Sequence, residues 1–356
     1  MVKRVIKPSI HIVSQLHGSL GEITEDLIKG LRKRFVITEE FKESPVGFDY
    51  LLCHYFTKGI VQHESFNLFK KKILILPLDG TVLTEESIKL INAFDLVITP
   101  SLVGKEILLE NKITTKIEII PNFFKKEILY STPLDIIPEL PSDKFIFYHE
   151  STLHNRKGVE YLYQAFIKAF SDTPYVDDVC LLVKTNKFNE STISENEKLK
   201  KEAIELQSKY KYPAQIYKVS QDLKVETLQK IWNKINAYVS FAKMEGFGIP
   251  LLRMAALNKQ IVTLDNKLSG YKDFLNRSNC YMSDTHIEQV TGTLAPIYEK
   301  TSKWEVPDSI DDLEYNLIKC YEDYLDNSPR TVDYHSVRHM EYEEIMEKYS
   351  AAIQSL

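Results

Sequence analysis

Cysteine is scarce here: four in 356 residues, at Cys53, Cys180, Cys280 and Cys320, with no C-x-x-C pair. Such wide spacing argues against a disulfide framework or a zinc site and fits thiols in a reducing, cytoplasmic setting. No run of about 18 apolar residues occurs, so no membrane-spanning helix is expected. The start, "MVKRVIKPSIHIVSQLHG", has basic residues but no long apolar stretch and no small-residue cleavage site. It reads as a first strand, not a signal peptide. There is no D-x-D, no Walker loop and no G-x-G-x-x-G, which speaks against a metal-bridged phosphate site and the common dinucleotide fingerprint. Fixed-period repeats and low-complexity segments are absent. Charge of one sign is also lacking: the net value of −5 is too small to argue for a nucleic-acid partner. Acids and bases cancel before residue 141, so the acidic excess lies in the second half. His335 and His339 stand four apart but have no H-E-x-x-H context and no third ligand, so no metal site is expected there. The run "FKKKI" reads as a solvated edge, with room for at most a weak peripheral contact with anionic lipid.

What is present is ordinary for a globular chain with a large core: 44% hydrophobic and 27% charged residues. The length suggests two domains. Short apolar runs alternate with helical patterns. "SIHIVSQL" is followed by a segment that sets Ile23, Leu27, Ile28 and Leu31 on one helical face. "FDYLLCHYF", "KKILILPL", "FDLVITPS" and "KIEIIPN" are further strand candidates, with "SLVGKEILLEN" helical between two of them. Three prolines in "STPLDIIPELPSDK" break the periodicity and mark a boundary. Beyond it the alternation resumes, from strand "FIFYHES" and helix "GVEYLYQAFIKAF" through strand "AYVSFA" and helix "PLLRMAALN" to strand "QIVTLD". Two helical tail segments follow. Apolar strands with intervening helices predict α/β domains with parallel sheets covered on both faces. The expected division is 1–141, 142–328, and a helical segment 329–356 returning to the first domain.

Two stretches carry chemistry. In "MEGFGIPLLRMAALN" a strand ends at a turn in which Glu245 precedes Gly246, Phe247, Gly248, Ile249 and Pro250. Glycines let a backbone approach a ligand closely, and the start of the next helix offers free amides and a positive dipole end to an anion. A carboxylate beside an anion seat suits a polyhydroxylated group that carries phosphate. The second stretch, "YHESTLHNRKGVEYLYQAF", repeats the layout, with Arg156, Lys157 and Gly158 at a helix start. Two adjacent cations there oppose the helix dipole, a cost that a departing diphosphate would offset. A tight turn with solvated charges is the plainer reading of either stretch alone.

Together with "FDLVITPSLVGKEILLENKITTKIEIIPNFF", these stretches resemble, in order and separation, the motifs of family 4 glycosyltransferases of the GT-B fold. The likeness runs over about residues 93–275. It implies two Rossmann-like domains facing a cleft, with C-terminal helices closing back. It implies a nucleotide-sugar donor on the second domain, an acceptor side on the first, and transfer with retention and no metal or other cofactor. By position, Glu245 matches the first glutamate of the family's E-x7-E motif, which contacts the donor sugar. Gly246, Phe247 and Gly248, with Ile249 next, match the backbone facing sugar and diphosphate. Lys157 matches the lysine on the diphosphate.

Two departures stand out. The family's glycine-arginine after the preceding strand is replaced by Glu150-Ser151-Thr152, leaving Arg156 to supply a second cation and Thr152 as a donor-site candidate. Eight residues after Glu245, where the family has a glutamate that accepts hydrogen bonds from ribose, stands Arg253. Guanidinium only donates, so Arg253 would have to bind the donor through ribose oxygens or phosphate. In the first half, "LHGSLGE" places Gly18 in a loop that corresponds to a donor-side glycine turn. His54 and Asp79 end strands where either could orient an acceptor hydroxyl. The resemblance leaves glycan, lipid, protein and nucleic acid all open as acceptors. The departures keep two other readings in play: a non-catalytic carbohydrate-binding subunit and a sugar-nucleotide epimerase or hydrolase.

Overall fold

The computed structural model describes residues 7–14, 18–38, 49–54, 61–133, 143–185, 190–291 and 294–356. The domain boundary expected at 141–142 lies outside the described residues, as does the start of the polar "NKFNESTISENEK" segment. The chain divides into two compact units: Met1–Phe123 with Leu294–Ser302 and His339–Leu356, and Phe124–Thr293 with Lys303–Arg338.

The first unit is built on a six-stranded parallel sheet: β1 (Ser9–Ser14), β2 (Val36–Thr38), β3 (Tyr50–His54), β4 (Lys71–Ile75), β5 (Leu96–Thr99) and β6 (Lys116–Ile119). The order is β2-β1-β3-β4-β5-β6. The strands owe their burial to helices on the faces. Among these are α1 (Gly18–Leu31), α2 (Glu85–Ile91) and α3 (Leu102–Glu110). Sequence caps fix two helix starts: Thr84 Oγ1 accepts from the Ser87 amide at 3.1 Å, and Ser101 Oγ from the Gly104 amide at 3.2 Å.

In the second unit the strands are β7 (Phe145–Glu150), β8 (Val179–Lys184), β9 (Gln215–Val219), β10 (Ala237–Ser240), β11 (Gln260–Leu264) and β12 (Tyr281–Ser283). They form a parallel sheet in the order β12-β11-β10-β7-β8-β9. The helices are α4 (Val159–Phe170), α5 (Glu190–Gln207), α6 (Val225–Lys234), α7 (Ile249–Ala256), α8 (Ile310–Leu325) and α9 (Tyr334–Val337). β8, β10 and β11 are buried along their whole length, the pattern of parallel strands covered on both sides. Aromatic rings fill one covered face: Phe147 meets Phe166 of α4 at 5.7 Å and Phe145 meets Tyr321 of α8 at 5.3 Å. An antiparallel hairpin of β13 (Thr285–Gln289) and β14 (Lys303–Pro307) was not expected, because the side chains of His286–Gln289 are exposed and carry no apolar alternation.

The last helix, α10 (Tyr342–Gln354), lies in the first unit beside α1. Tyr342 Oη donates to the Asp26 carbonyl at 2.9 Å, and Lys33 pairs with Glu343 at 3.0 Å.

The strand order of the second sheet reverses direction between β7 and β10. At such a switch point the loops leaving two neighbouring strands diverge to opposite faces and open a crevice at their carboxyl ends. Both motif stretches leave the sheet there.

Candidate active site

Three charged side chains meet beyond the ends of β7 and β10. Asn155–Lys157 form a single 3-10 turn that projects Arg156 and Lys157. Glu245 lies in the loop between β10 and α7, its amide donating to Ser269 Oγ at 2.9 Å and its carbonyl accepting from the Gly270 amide at 2.8 Å. The carboxylate takes a hydrogen bond from Lys157 Nζ on Oε1 and lies 3.4 Å from Arg156 Nη1 through Oε2. Arg156 Nη1 also donates to the Met244 carbonyl at 2.5 Å. The three side chains are only 12–18% exposed. Main chain reinforces the junction: the Lys243 amide donates to the Arg156 carbonyl at 2.8 Å, so the two motif loops are stitched together.

Glu245, Lys157 and Gly248 share a small pocket with His149, Glu150, Ser151, Tyr238, Ser240, Pro250 and Leu251. Gly248 takes φ of +89°, a conformation that turns the chain into α7 and that side-chain-bearing residues rarely adopt. The first amides of α7 therefore start at the pocket, with Pro250 inside the first turn, where a missing N–H costs nothing. Lys157, Arg156 and the helix amino end offer positive groups to a diphosphate, while Glu245 and Glu150 set two carboxylates beside them.

Anabaena HepE, solved with UDP and glucose, matches with a TM-score of 0.71 and 13% identity, covering 98% of this chain and 100% of that one. The sucrose-phosphate synthase of Thermosynechococcus elongatus gives 0.73 and 13%, over 98% and 99% of the two chains. A UDP-forming α,α-trehalose-phosphate synthase from Burkholderia xenovorans gives 0.72 and 9%, over 98% and 99%. The chain has the GT-B fold. No family model and no curated protein matches the sequence.

Within this GT-B chain the other candidates fall in distinct surroundings. Phe247 and Ile249 point into the core, Phe247 against Phe274 at 5.5 Å, so only their backbone is available to a ligand. Gly246 continues the turn. Thr152 is half-buried in the loop after β7 and does not line the pocket. Arg253 is 8% exposed and lays its guanidinium over the Trp232 ring at 4.8 Å, a placement in the packing behind the pocket rather than in its lining.

In the first unit, Gly18 opens α1. Asp79 follows β4, half-buried, with its amide donating to Tyr298 Oη at 2.7 Å. His54 differs from its expected acceptor-orienting part. It is 3% exposed, and its Nδ1 sits 2.6 Å from Thr24 Oγ1 of α1. Burial pushes its imidazole down to about 4, so it stays neutral and serves packing. The strand-end position that suggested function is in this case the place where a helix covers the sheet.

Sequence reasoning passed over His149. Its Nδ1 lies 2.8 Å from the Val239 carbonyl, which can only accept, so that nitrogen carries the proton. Nε2 is then an acceptor for the Ser151 hydroxyl at 2.7 Å, which turns the Ser151 oxygen lone pairs outward. Burial is the main cause holding His149 down at about 4, with the Lys157 charge adding to it. The fixed tautomer makes this an orienting pair for a pocket-lining hydroxyl, invisible to spacing rules because strand residues 149 and 239 meet only in the sheet.

The turn carrying the cations depends on Gly158, whose φ is +62°. A Cβ there would fall 2.0 Å from the Phe241 carbonyl oxygen. Gly158→Ala is expected to destabilise the fold by at least about 1–3 kcal/mol and to disturb the Arg156–Lys157 turn. A denaturant midpoint equal to that of the unaltered protein would show that the loop relaxes freely.

Proposed function

We propose that this protein is a glycosyltransferase that moves a sugar from a nucleotide-sugar donor to an acceptor hydroxyl. Its second unit binds the donor, with the diphosphate on Lys157, Arg156 and the amides opening α7, and the sugar hydroxyls on Glu245. The observation that carries the reading is the Arg156–Lys157–Glu245 cluster, set at the switch point of a doubly wound sheet and against a glycine-led helix start. The crystal structure of HepE contains UDP and glucose, and the two further structures named above are a sucrose-phosphate synthase and a UDP-forming trehalose-phosphate synthase, which supports a nucleotide-sugar donor for this chain.

The chemical task is to let a nucleoside diphosphate leave the anomeric carbon as an acceptor oxygen attacks. Lys157 and Arg156 stabilise charge that grows on the leaving oxygen, and they are preorganised by Glu245 and by main-chain bonds. Glu245 accepts hydrogen bonds from the sugar hydroxyls, which holds the ring in register with the departing group. Membership of family 4, retention of configuration and independence from metal belong to this same proposal. They rest on the motif likeness and on the absence of D-x-D from the sequence.

Incubating the protein with individual nucleotide sugars, with and without candidate sugar, sugar-phosphate and lipid acceptors, tests the reading. Acceptor-dependent release of nucleoside diphosphate is expected. Release that needs no acceptor would point to a hydrolase, and no release or binding with any donor would remove the proposal.

A further inference from the structure

The pocket holds a second carboxylate that the diphosphate seat does not use. Glu150 ends β7 and is half-buried. Its Oε2 accepts from Tyr148 Oη at 2.9 Å and from Trp232 Nε1 at 2.9 Å, while its carbonyl accepts from Tyr238 Oη at 3.1 Å. Those donors fix the carboxylate's orientation through one oxygen. Oε1 keeps its acceptor capacity, and Glu150 lines the same pocket as Glu245, Lys157 and Gly248. Trp232 is itself immobilised: it is 2% exposed, and Arg253 covers its ring at 4.8 Å.

A nucleotide sugar offers two vicinal diols, one on the hexose and one on the ribose. Glu245 is the carboxylate tied to the cations, beside the bond that breaks. Glu150 is the carboxylate tied to Trp232 of α6. We propose that Glu150 accepts hydrogen bonds from the ribose 2′,3′-diol of the donor. Arg253, which has no acceptor, serves as a positioning residue that holds Trp232 and through it Glu150. This assignment rests on the nucleotide-sugar reading above and deepens it: the site selects ribonucleotides over deoxyribonucleotides through a residue on β7.

Calorimetric titration of the full chain with uridine, guanosine and adenosine diphosphates, and with their 2′-deoxy and 3′-deoxy forms, tests it. Whichever base binds, the ribose form is expected to bind about tenfold or more tightly than either deoxy form, the scale of a charge-assisted hydrogen bond. In Glu150→Gln, which keeps an acceptor for Tyr148 and Trp232, that ratio should fall to roughly twofold, while inorganic pyrophosphate binds as it does to the unaltered protein. Equal affinity of the unaltered protein for ribose and deoxyribose forms would overturn the assignment, and it needs no variant to fold. A ratio preserved in Glu150→Gln would do the same. If Glu150→Gln weakened a nucleotide sugar but left its nucleoside diphosphate untouched, the hexose and not the ribose would be the partner, and the assignment would fall. Absence of any nucleoside diphosphate binding would instead remove the nucleotide-sugar reading itself, a distinct result.

Discussion

Lys157→Ala is expected to lower turnover by roughly 10²–10³-fold, equivalent to about 2.7–4 kcal/mol of barrier, the usual effect of deleting one preorganised donor from a developing anion. The side chain is 18% exposed and its partner is Glu245, so truncation removes a cation from a largely desolvated seat. Arg156 remains 3.4 Å from the carboxylate, anchored on the Met244 carbonyl, and keeps the loop in place. The loss should therefore appear in kcat more than in the unfolding midpoint. Donor turnover followed by nucleoside diphosphate release, alongside a denaturant melt, separates the two. A rate within a factor of a few of the unaltered protein would take Lys157 out of the chemistry.

Glu245→Ala should have an effect at least as large, about 10³-fold or more, because it removes the acceptor for the sugar and also the anchor of both cations. Its charge state supports a pH test. Burial alone would raise the Glu245 carboxyl, but Lys157 and Arg156 outweigh it and hold the group at about 2, below its usual 4.5. A depressed carboxyl contributes stability that is fully present above the unfolded value and is lost as pH falls through the folded one. The window thus runs from about 4.5 down to about 2, and roughly 3 kcal/mol of stability at most is at stake across it. Glu245→Gln should flatten that part of the stability profile and stay inactive at every pH. An acid profile unchanged by the substitution, or an active Gln variant, would show that the cations do not depend on this carboxylate.

Much of the fold is legible in the chain because its strands are buried on both faces. Val179–Val183 of β8 is unbroken apolar for that reason, β11 carries Ile261, Val262 and Leu264, and helices such as α4 show their buried stripe plainly. Three-residue strands such as β2 and β12 are too short to establish any period. At the site, Arg156, Lys157 and Glu245 can be picked out locally, since each stands between a strand end and a helix start. The Glu150–Trp232–Arg253 chain cannot. Its members come from a strand and two helices far apart in sequence, and only the packing of α6 and α7 on the sheet brings indole, carboxylate and guanidinium together. For the same reason no spacing in the sequence announces that the Arg253 guanidinium lies over the Trp232 ring.

One consequence of that stack is practical. The chain has two tryptophans, Trp232 and Trp304, and both belong to the second unit. Trp232 is bonded to Glu150, and Trp304 lies 5.9 Å from Lys243, the residue whose amide holds the Arg156 carbonyl. Indole emission is accordingly a native, label-free gauge of the donor half of the molecule and is silent about the other. A melt read by fluorescence and one read by backbone dichroism will diverge wherever the two halves lose order at different temperatures.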